Sequence, residues 1–159
     1  MNGEEMLSKR RKISTVLAAA SLTAATGAAG LLFGAQPALA WDDANCGFRS
    51  GGPIYYWYHS YQDGAVNCQN GNVPDLASPG TYFNKTNQYA DHPYDGLGDR
   101  LWNDAGSASN NDTTCAATIW YHASYTGSHL TLTRTGQAGW YSNTLGVVNN
   151  NNRSQNWSC

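Results

Sequence analysis

The stretch Trp57-Tyr58-His59-Ser60-Tyr61-Gln62-Asp63-Gly64 recurs as Trp120-Tyr121-His122-Ala123-Ser124-Tyr125-Thr126-Gly127, with Trp, Tyr, His and Gly at the same offsets. The chain therefore carries an internal duplication. Each copy is followed by an Asn- or Asp-containing segment that ends in Ser: Asn103-Asp104-Ala105-Gly106-Ser107 and Asn150-Asn151-Asn152-Arg153-Ser154. A Trp seven positions before a Gly, with a Tyr between them, suits a strand that turns sharply into its hairpin partner. The Gly permits a positive φ, and the aromatic rings fold over the corner and bury their area there. Ser107 and Ser154, arriving later on another strand, are expected to hydrogen-bond the exposed backbone of that corner.

Outside the two copies, apolar and aromatic residues come in short runs, such as 53–58, 117–121 and Leu130-Thr131-Leu132-Thr133, separated by clusters of Gly, Asn, Asp and Ser. That is the grammar of strands and turns, and it predicts an all-β fold. In His129-Leu130-Thr131-Leu132-Thr133 the Thr side chains face one way and the Leu side chains the other, as in a strand with one buried face. Residues 91–100 hold a helical turn at most, because Pro93, Gly96 and Gly98 interrupt them. The copies also differ in length. From Trp57 to Asn103 is 103 − 57 = 46 positions and from Trp120 to Asn150 is 150 − 120 = 30, so the first copy carries 46 − 30 = 16 extra residues. They are expected within residues 74–100, as a long polar surface excursion.

The N-terminus reads as a secretory signal over residues 1–40. A basic cluster, Lys9-Arg10-Arg11-Lys12, precedes a weakly apolar run over 13–35 and then Ala38-Leu39-Ala40 as a small-x-small cleavage site. A transmembrane anchor fits less well, because the run is rich in Ala, Thr and Gly and is followed at once by Gln36 and Pro37. The expected mature chain, 41–159, has 159 − 40 = 119 residues, enough for one domain. It holds 5 Lys+Arg against 9 Asp+Glu, a charge of −4 with His neutral. Nucleic acid and anionic membranes are thereby disfavoured as partners, since phosphate binding needs a clustered positive field.

All four cysteines, Cys46, Cys68, Cys115 and Cys159, fall in the exported part, where thiols are normally oxidised. Four cysteines allow three pairings; the duplication favours Cys46 with Cys68 and Cys115 with Cys159, each closing one half. Such loops are worth roughly 3–4 kcal/mol each in the chain-entropy account. A zinc site is disfavoured because no two cysteines have the short spacing that structural zinc uses.

The pattern resembles the βγ-crystallin-like Greek-key domains, and within them the secreted actinobacterial peptidase inhibitors typified by the Streptomyces metalloproteinase inhibitor. The resemblance rests on Trp120, Tyr125 and Gly127 at the family's offsets, on the segment from Asn103 to Ala108, and on Asn150-Asn151-Asn152-Arg153-Ser154-Gln155-Asn156-Trp157. In the first copy Trp57 and Gly64 match, but the middle aromatic, Tyr61, lies four positions after Trp57 rather than five. The resemblance implies one β-sandwich of two four-stranded Greek keys, about 46–112 and about 113–159. It also implies Ca²⁺ in the Asn/Asp loops, held by Asn103, Asp104 and Ser107 and by Asn150, Asn151 and Ser154 with backbone carbonyls. Ala108 and Gln155 stand where the family has Ser, and Asp104 alone brings charge. Any Ca²⁺ site is thus expected to be weak, on the order of 10⁻⁴ to 10⁻³ M, and no cofactor is expected to be required. The alternative is that these residues cap the loop backbone without metal.

A hydrolase is disfavoured. His59, His92, His122 and His129 belong to no HExxH, GxSxG or Cys-His pattern, and His59 and His122, at equivalent positions, read as shared scaffold. Asp91, Asp95 and Asp99 read as solvated loop rather than a paired-carboxylate site. Six Trp and ten Tyr exceed what the core of so small a sandwich can hold. Trp57, Trp120, Tyr125 and Trp157 are assigned to corners and core, leaving Tyr55, Tyr56, Tyr89, Tyr94, Trp140 and Tyr141 as candidates for an exposed interaction surface. The expectation is a secreted, monomeric, non-enzymatic inhibitor of an extracellular peptidase. Its binding loop is sought at Tyr89, Asp91, Tyr94 and Asp95 within 84–100. The competing readings are a module that binds glycan or another secreted protein, and a calcium-stabilised structural protein.

Overall fold

The structure, a computed structural model, describes residues 41–42, 46–78 and 80–159; the expected signal segment, 1–40, lies outside the described residues. Eight strands are present among them: β1 (Trp41–Asp42), β2 (Ile54–Trp57), β3 (Val66–Asn70), β4 (Ser107–Asn110), β5 (Ala116–His122), β6 (Thr126–Leu132), β7 (Tyr141–Ser142) and β8 (Ser154–Ser158). They form two antiparallel sheets, one in the order β1-β3-β2-β4-β7 and the other in the order β6-β5-β8.

The two halves repeat one topology and exchange one strand. In the first, β3 and β4 flank β2; in the second, β6 and β8 flank β5. Each half then sends its remaining segment to the other's sheet. β7 pairs with β4 through Ala108↔Ser142 and Ser109↔Tyr141, while Val73 forms a single antiparallel bridge to Gln155 of β8. This is a pair of Greek keys packed as a sandwich, and the exchange makes each sheet a product of both halves. The disulfides stay within the halves, joining Cys46 to Cys68 and Cys115 to Cys159.

Alternation along the strands decides what fills the sandwich. On β2, Ile54 and Tyr56 point inward and are fully buried, whereas Tyr55 and Trp57 point to the outer face. On β6, Leu130 and Leu132 reach the core and Thr131 faces out, where its hydroxyl meets that of Thr118 at 2.9 Å. The core also takes Leu76, Phe83, Leu101, Ile119 and Leu145, all fully buried, each contributing about 1.5–3 kcal/mol of transfer free energy. Leu76 and Phe83 correct an expectation. The first-half excursion is not wholly a surface loop, because its opening part buries these two side chains, whereas residues 84–100 are mostly exposed, with Asn87 turned inward.

Tyr56 is a second correction: it is buried, not exposed. Its hydroxyl donates to Gln155 Oε1 at 2.9 Å, and the amide of Gln155 donates to the carbonyls of Gln69 (3.3 Å) and Gly71 (3.2 Å). The non-Ser residue at the sixth position of the second Asn-rich loop thus satisfies polar groups in the interior.

Both corners have the same backbone. Tyr61 and Gln62 have φ of 62° and 65° and Gly64 has 79°; Ser124 and Tyr125 have 58° and 59° and Gly127 has 85°. The displaced aromatic of the first copy therefore does not alter its turn. Ser107 Oγ accepts from Gln62 N (3.0 Å) and donates to the His59 carbonyl (2.7 Å). Ser154 Oγ accepts from Tyr125 N (3.1 Å) and donates to the His122 carbonyl (2.6 Å). Each hydroxyl replaces two ladder bonds that the left-handed backbone cannot make. Ser107→Ala and Ser154→Ala are each expected to lower unfolding free energy by about 1–3 kcal/mol, read by denaturant titration. A loss below about 0.5 kcal/mol in both would show that the corners do not depend on these bonds.

Candidate functional site

The excursion folds back onto the first corner and is held there by two carboxylate–imidazole contacts. Asp63 Oδ1 accepts the His92 backbone N–H at 3.0 Å and the Gly64 N–H at 2.8 Å, while Asp63 Oδ2 lies 2.7 Å from His92 Nδ1. Asp95 Oδ2 lies 3.2 Å from His59 Nε2, and the Asp95 carbonyl accepts the Ala65 N–H at 2.8 Å. The His59 and His92 rings meet edge to face with centroids 6.4 Å apart. Asn87 adds a bond to the Gln62 carbonyl at 2.9 Å, and Gly96 lies directly on the Tyr58 ring, where a Cβ would collide with it.

His59 and His122 share their corner contacts, each ring edge lying over the corner Gly and each carbonyl accepting from the corner Ser, but differ in what else they meet. His59 is drawn into this latch by a loop that the second half lacks; His122 is exposed and packs its ring edge 2.7 Å from where a Cβ on Gly127 would stand. The pinned loop presents its aromatics outward: Tyr89 is 89% exposed, Tyr94 70% and the neighbouring Tyr61 74%. Leu97 is exposed as well. Asp91 is exposed and adds a weak field at His92. The backbone from Gln88 onward is a succession of turns and bends up to Asp99, with no extended stretch.

The Asn-rich loops face each other across the sandwich. The Asn103 N–H donates to the Asn152 carbonyl and the Asn150 N–H to the Ala105 carbonyl, at 3.0 and 3.1 Å. A pocket of about 260 Å³ sits by the first corner, lined by Tyr58, His59, Ser60, Asp104, Gly106, Asn149 and Asn150. Asn149 Oδ1 is buried with no hydrogen-bond partner, and Asp104, the one carboxylate, pairs with Arg100 at 2.9 Å. At the corresponding place in the second half, Trp102 replaces Asn149, Asn151 replaces Asp104 and Arg153 replaces Gly106. The Asn151 amide is turned to the Asn149 carbonyl at 2.9 Å, and Arg153 pairs with Asp75 at 2.6 Å. The first pocket offers the oxygen donors that Ca²⁺ takes; the second offers a guanidinium. Of the residues expected to hold Ca²⁺, Asp104 and Asn150 line this first pocket, one from each loop, whereas Asn103, Ser107, Asn151 and Ser154 are not in its lining.

A cavity of about 680 Å³ is a cleft between residues 50–52, 70–72 and the C-terminal Trp157 and Cys159. Its carboxylate, Asp112, is almost fully buried, and its Oδ1 accepts from Thr114 N, Thr114 Oγ1 and Cys115 N, which ties the Asp112–Cys115 turn together. Among the described residues no three His, Cys, Asp or Glu side chains cluster as metal ligands. No helix there is long and apolar enough to cross a membrane.

The latch was not legible in the chain, because His92 and Asp63 lie 29 residues apart and carry no motif. Its electrostatics follow from the geometry. The hydrogen bond from the His92 side chain, then that from its backbone, hold the Asp63 pKa down at about 2; the same side-chain contact raises that of His92. A raised imidazole contributes stability below its unfolded pKa, near 6.5, and loses it as pH rises through the folded value. A depressed carboxylate contributes above its unfolded pKa, near 3.9, and loses it as pH falls towards about 2. The latch is thus strongest between about pH 4 and 6.5. Asp63→Asn is expected to bring the His92 titration down towards the ordinary imidazole value and to speed amide exchange at Ala65, both read by NMR; an unmoved His92 titration would refute the pairing.

No protein-family model and no curated protein matches the chain. A solved structure described as "Evolution of the eye lens beta-gamma-crystallin domain fold" is similar in backbone, with a TM-score of 0.50 at 14% identity, covering 75% of this chain and 96% of that one. The likeness is one of fold, and the fold is βγ-crystallin-like: two Greek keys in one disulfide-bonded sandwich.

Proposed function

We propose that the protein is an extracellular, non-catalytic binding protein whose recognition element is the surface loop 84–100, and that its partner is a secreted peptidase that it inhibits. The observation that carries the reading is the combination of a pinned backbone with outward Tyr89 and Tyr94. Tyr is a rigid, amphipathic contact residue, and a loop already ordered by Asp63–His92 and His59–Asp95 loses little entropy on docking. A crystallin-like scaffold suits such a binding role, and two disulfides suit an oxidising, extracellular setting. Peptidase as partner rests on the resemblance of Trp120, Tyr125, Gly127 and the Asn-rich segments to the inhibitor family. Because the loop is built of turns, contact would run through side chains rather than through an extended, substrate-like strand.

The test is a panel of extracellular metallo- and serine peptidases assayed with micromolar protein. Inhibition of at least one is expected, weakened ten-fold or more by Tyr89→Ala or Tyr94→Ala with melting temperature unchanged. A panel left fully active would sink the peptidase reading, and inhibition indifferent to both substitutions would move the contact away from the loop.

A second reading, calcium binding, is favoured by the orphaned Asn149 Oδ1 beside Asp104 in the first pocket. When bound there, Ca²⁺ would take the Asp104 carboxylate and the Asn149 amide oxygen and tie the two halves together. With a dissociation constant of about 10⁻⁴ to 10⁻³ M, 10 mM Ca²⁺ stabilises the fold by about 1.4–2.7 kcal/mol. The melting temperature is expected to rise by several degrees, the rise vanishing in Asp104→Asn and persisting in Asn151→Ala; a flat melting curve in the unmodified protein would exclude the site.

A further inference from the structure

The outer face of the five-stranded sheet carries a second concavity, away from the Asn-rich loops. β2 turns Tyr55 and Trp57 outward with ring centroids 4.3 Å apart, and Ser109 of β4 stands beside them on the same face. Phe48, from the segment before β2, and Trp140, from the segment before β7, pack edge to face at 5.5 Å. These two aromatic pairs wall a pocket of about 290 Å³. Exposure differs in a useful way: Phe48 is 59% exposed and Trp140 is half-buried, while Trp57 is almost buried. One wall is therefore fixed in the sheet and the other stands in solvent.

The rest of the lining is polar and neutral. It consists of the amides of Gln62 and Asn111, the hydroxyl of Ser109 and the disulfide-bonded Cys46. These groups are held in place by neighbours. Ser109 Oγ donates to Asn111 Oδ1 at 2.8 Å, Asn111 Nδ2 donates to the Cys46 carbonyl, and Gln62 Nε2 donates to Asn143 Oδ1 at 3.4 Å. Gln62 Oε1 accepts no hydrogen bond from the described residues and is free for a ligand donor. No Asp, Glu, Lys, Arg or His lines the pocket.

From this we propose that the outer face of the sheet is a binding site for a neutral saccharide, distinct from the loop 84–100. Aromatic faces pack on the C–H surface of a pyranose ring, and fixed amide and hydroxyl groups pair with its hydroxyls. A ligand site combines just such apolar walls with a few placed polar groups. The volume lies at the small end of ligand pockets, room for one ring with the chain continuing past the exposed Phe48. The uncharged lining selects against phosphorylated, sulfated and uronic sugars, whose anionic groups would be desolvated with no partner.

Affinity electrophoresis in native gels containing hydroxyethyl cellulose, laminarin or galactomannan tests the site, with polygalacturonate as the charged control. Retardation in at least one neutral gel is expected, with a shift in tryptophan emission on titration. Phe48→Ala, at an exposed position, and Trp140→Ala are each expected to weaken retention ten-fold or more. Tyr89→Ala is expected to leave it unchanged, which separates this site from the peptidase-binding loop. The proposal is overturned by migration unaffected in all three neutral gels, by retention indifferent to both Phe48→Ala and Trp140→Ala, or by equal retention in polygalacturonate. Binding of a proline-rich peptide with no saccharide binding would also overturn it.

Discussion

One serine hydroxyl closes each corner, and the sandwich is organised around that pair of contacts. The left-handed residues at Tyr61 and Gln62 and at Ser124 and Tyr125 carry a strain of roughly 1–2 kcal/mol per residue for side chains with a Cβ. Such a turn also removes a backbone N–H and a carbonyl from the ladder. Ser107 and Ser154 accept the one and donate to the other, so strain and unpaired polarity are relieved by the same atom. Each serine lies on a strand that enters its sheet well after the corner it closes, Ser107 on β4 and Ser154 on β8, so a corner is complete only when its half has folded. With the corners set, β3 and β6 leave in fixed directions. The segments that follow are then carried across to the opposite sheet, as β7 beside β4 and Val73 beside β8.

Duplication supplies two equivalent corners, and the molecule uses them differently. The second is compact: Arg153 fills the position of Gly106 and pairs with Asp75. The first is left with space, and three added features occupy its surroundings. A pocket holds Asp104 and the unpartnered Asn149 oxygen, a loop is fastened by two imidazole–carboxylate contacts, and a groove of four aromatic residues opens on the sheet. A scaffold that needs both corners for stability does not need both for anything else, so the half with the insertion is free to carry recognition.

What the chain disclosed by itself was the repeated local rule: Trp and Gly at fixed offsets, which specify the turn, and a later Ser after each Asn-rich segment, 107 − 57 = 50 positions on in one copy and 154 − 120 = 34 in the other. Strand alternation was equally legible where one face is apolar, as in Leu130-Thr131-Leu132. Burial set by the partner sheet was not. Tyr56 looks like any strand aromatic until Gln155, 99 residues away, meets its hydroxyl. Leu76 and Phe83 sit in a polar stretch, and two isolated apolar residues give no periodicity from which an anchor could be read. Phe48 and Trp140 lie 92 residues apart and become neighbours only because β7 crosses to the first sheet. The latch failed to show for the same reason, since Asp63 and His92 meet through the fold of the excursion rather than through spacing.

Gln62 ties these features together. It stands where the second half has Tyr125, and that departure makes the first copy the weaker match to the repeated pattern. The backbone tolerates it because the position is a left-handed turn residue whose N–H, not its side chain, is held by the serine. Released from covering the corner, the side chain lines the aromatic groove, while its carbonyl accepts Asn87 from the excursion. A tyrosine there would keep the turn, since Tyr125 does, but would remove the groove's free amide oxygen. The residue that blurs the duplication is thus the one through which the loop and the sheet face meet, and loss of the repeat signal at that position marks the side of the sandwich where new surface has been made.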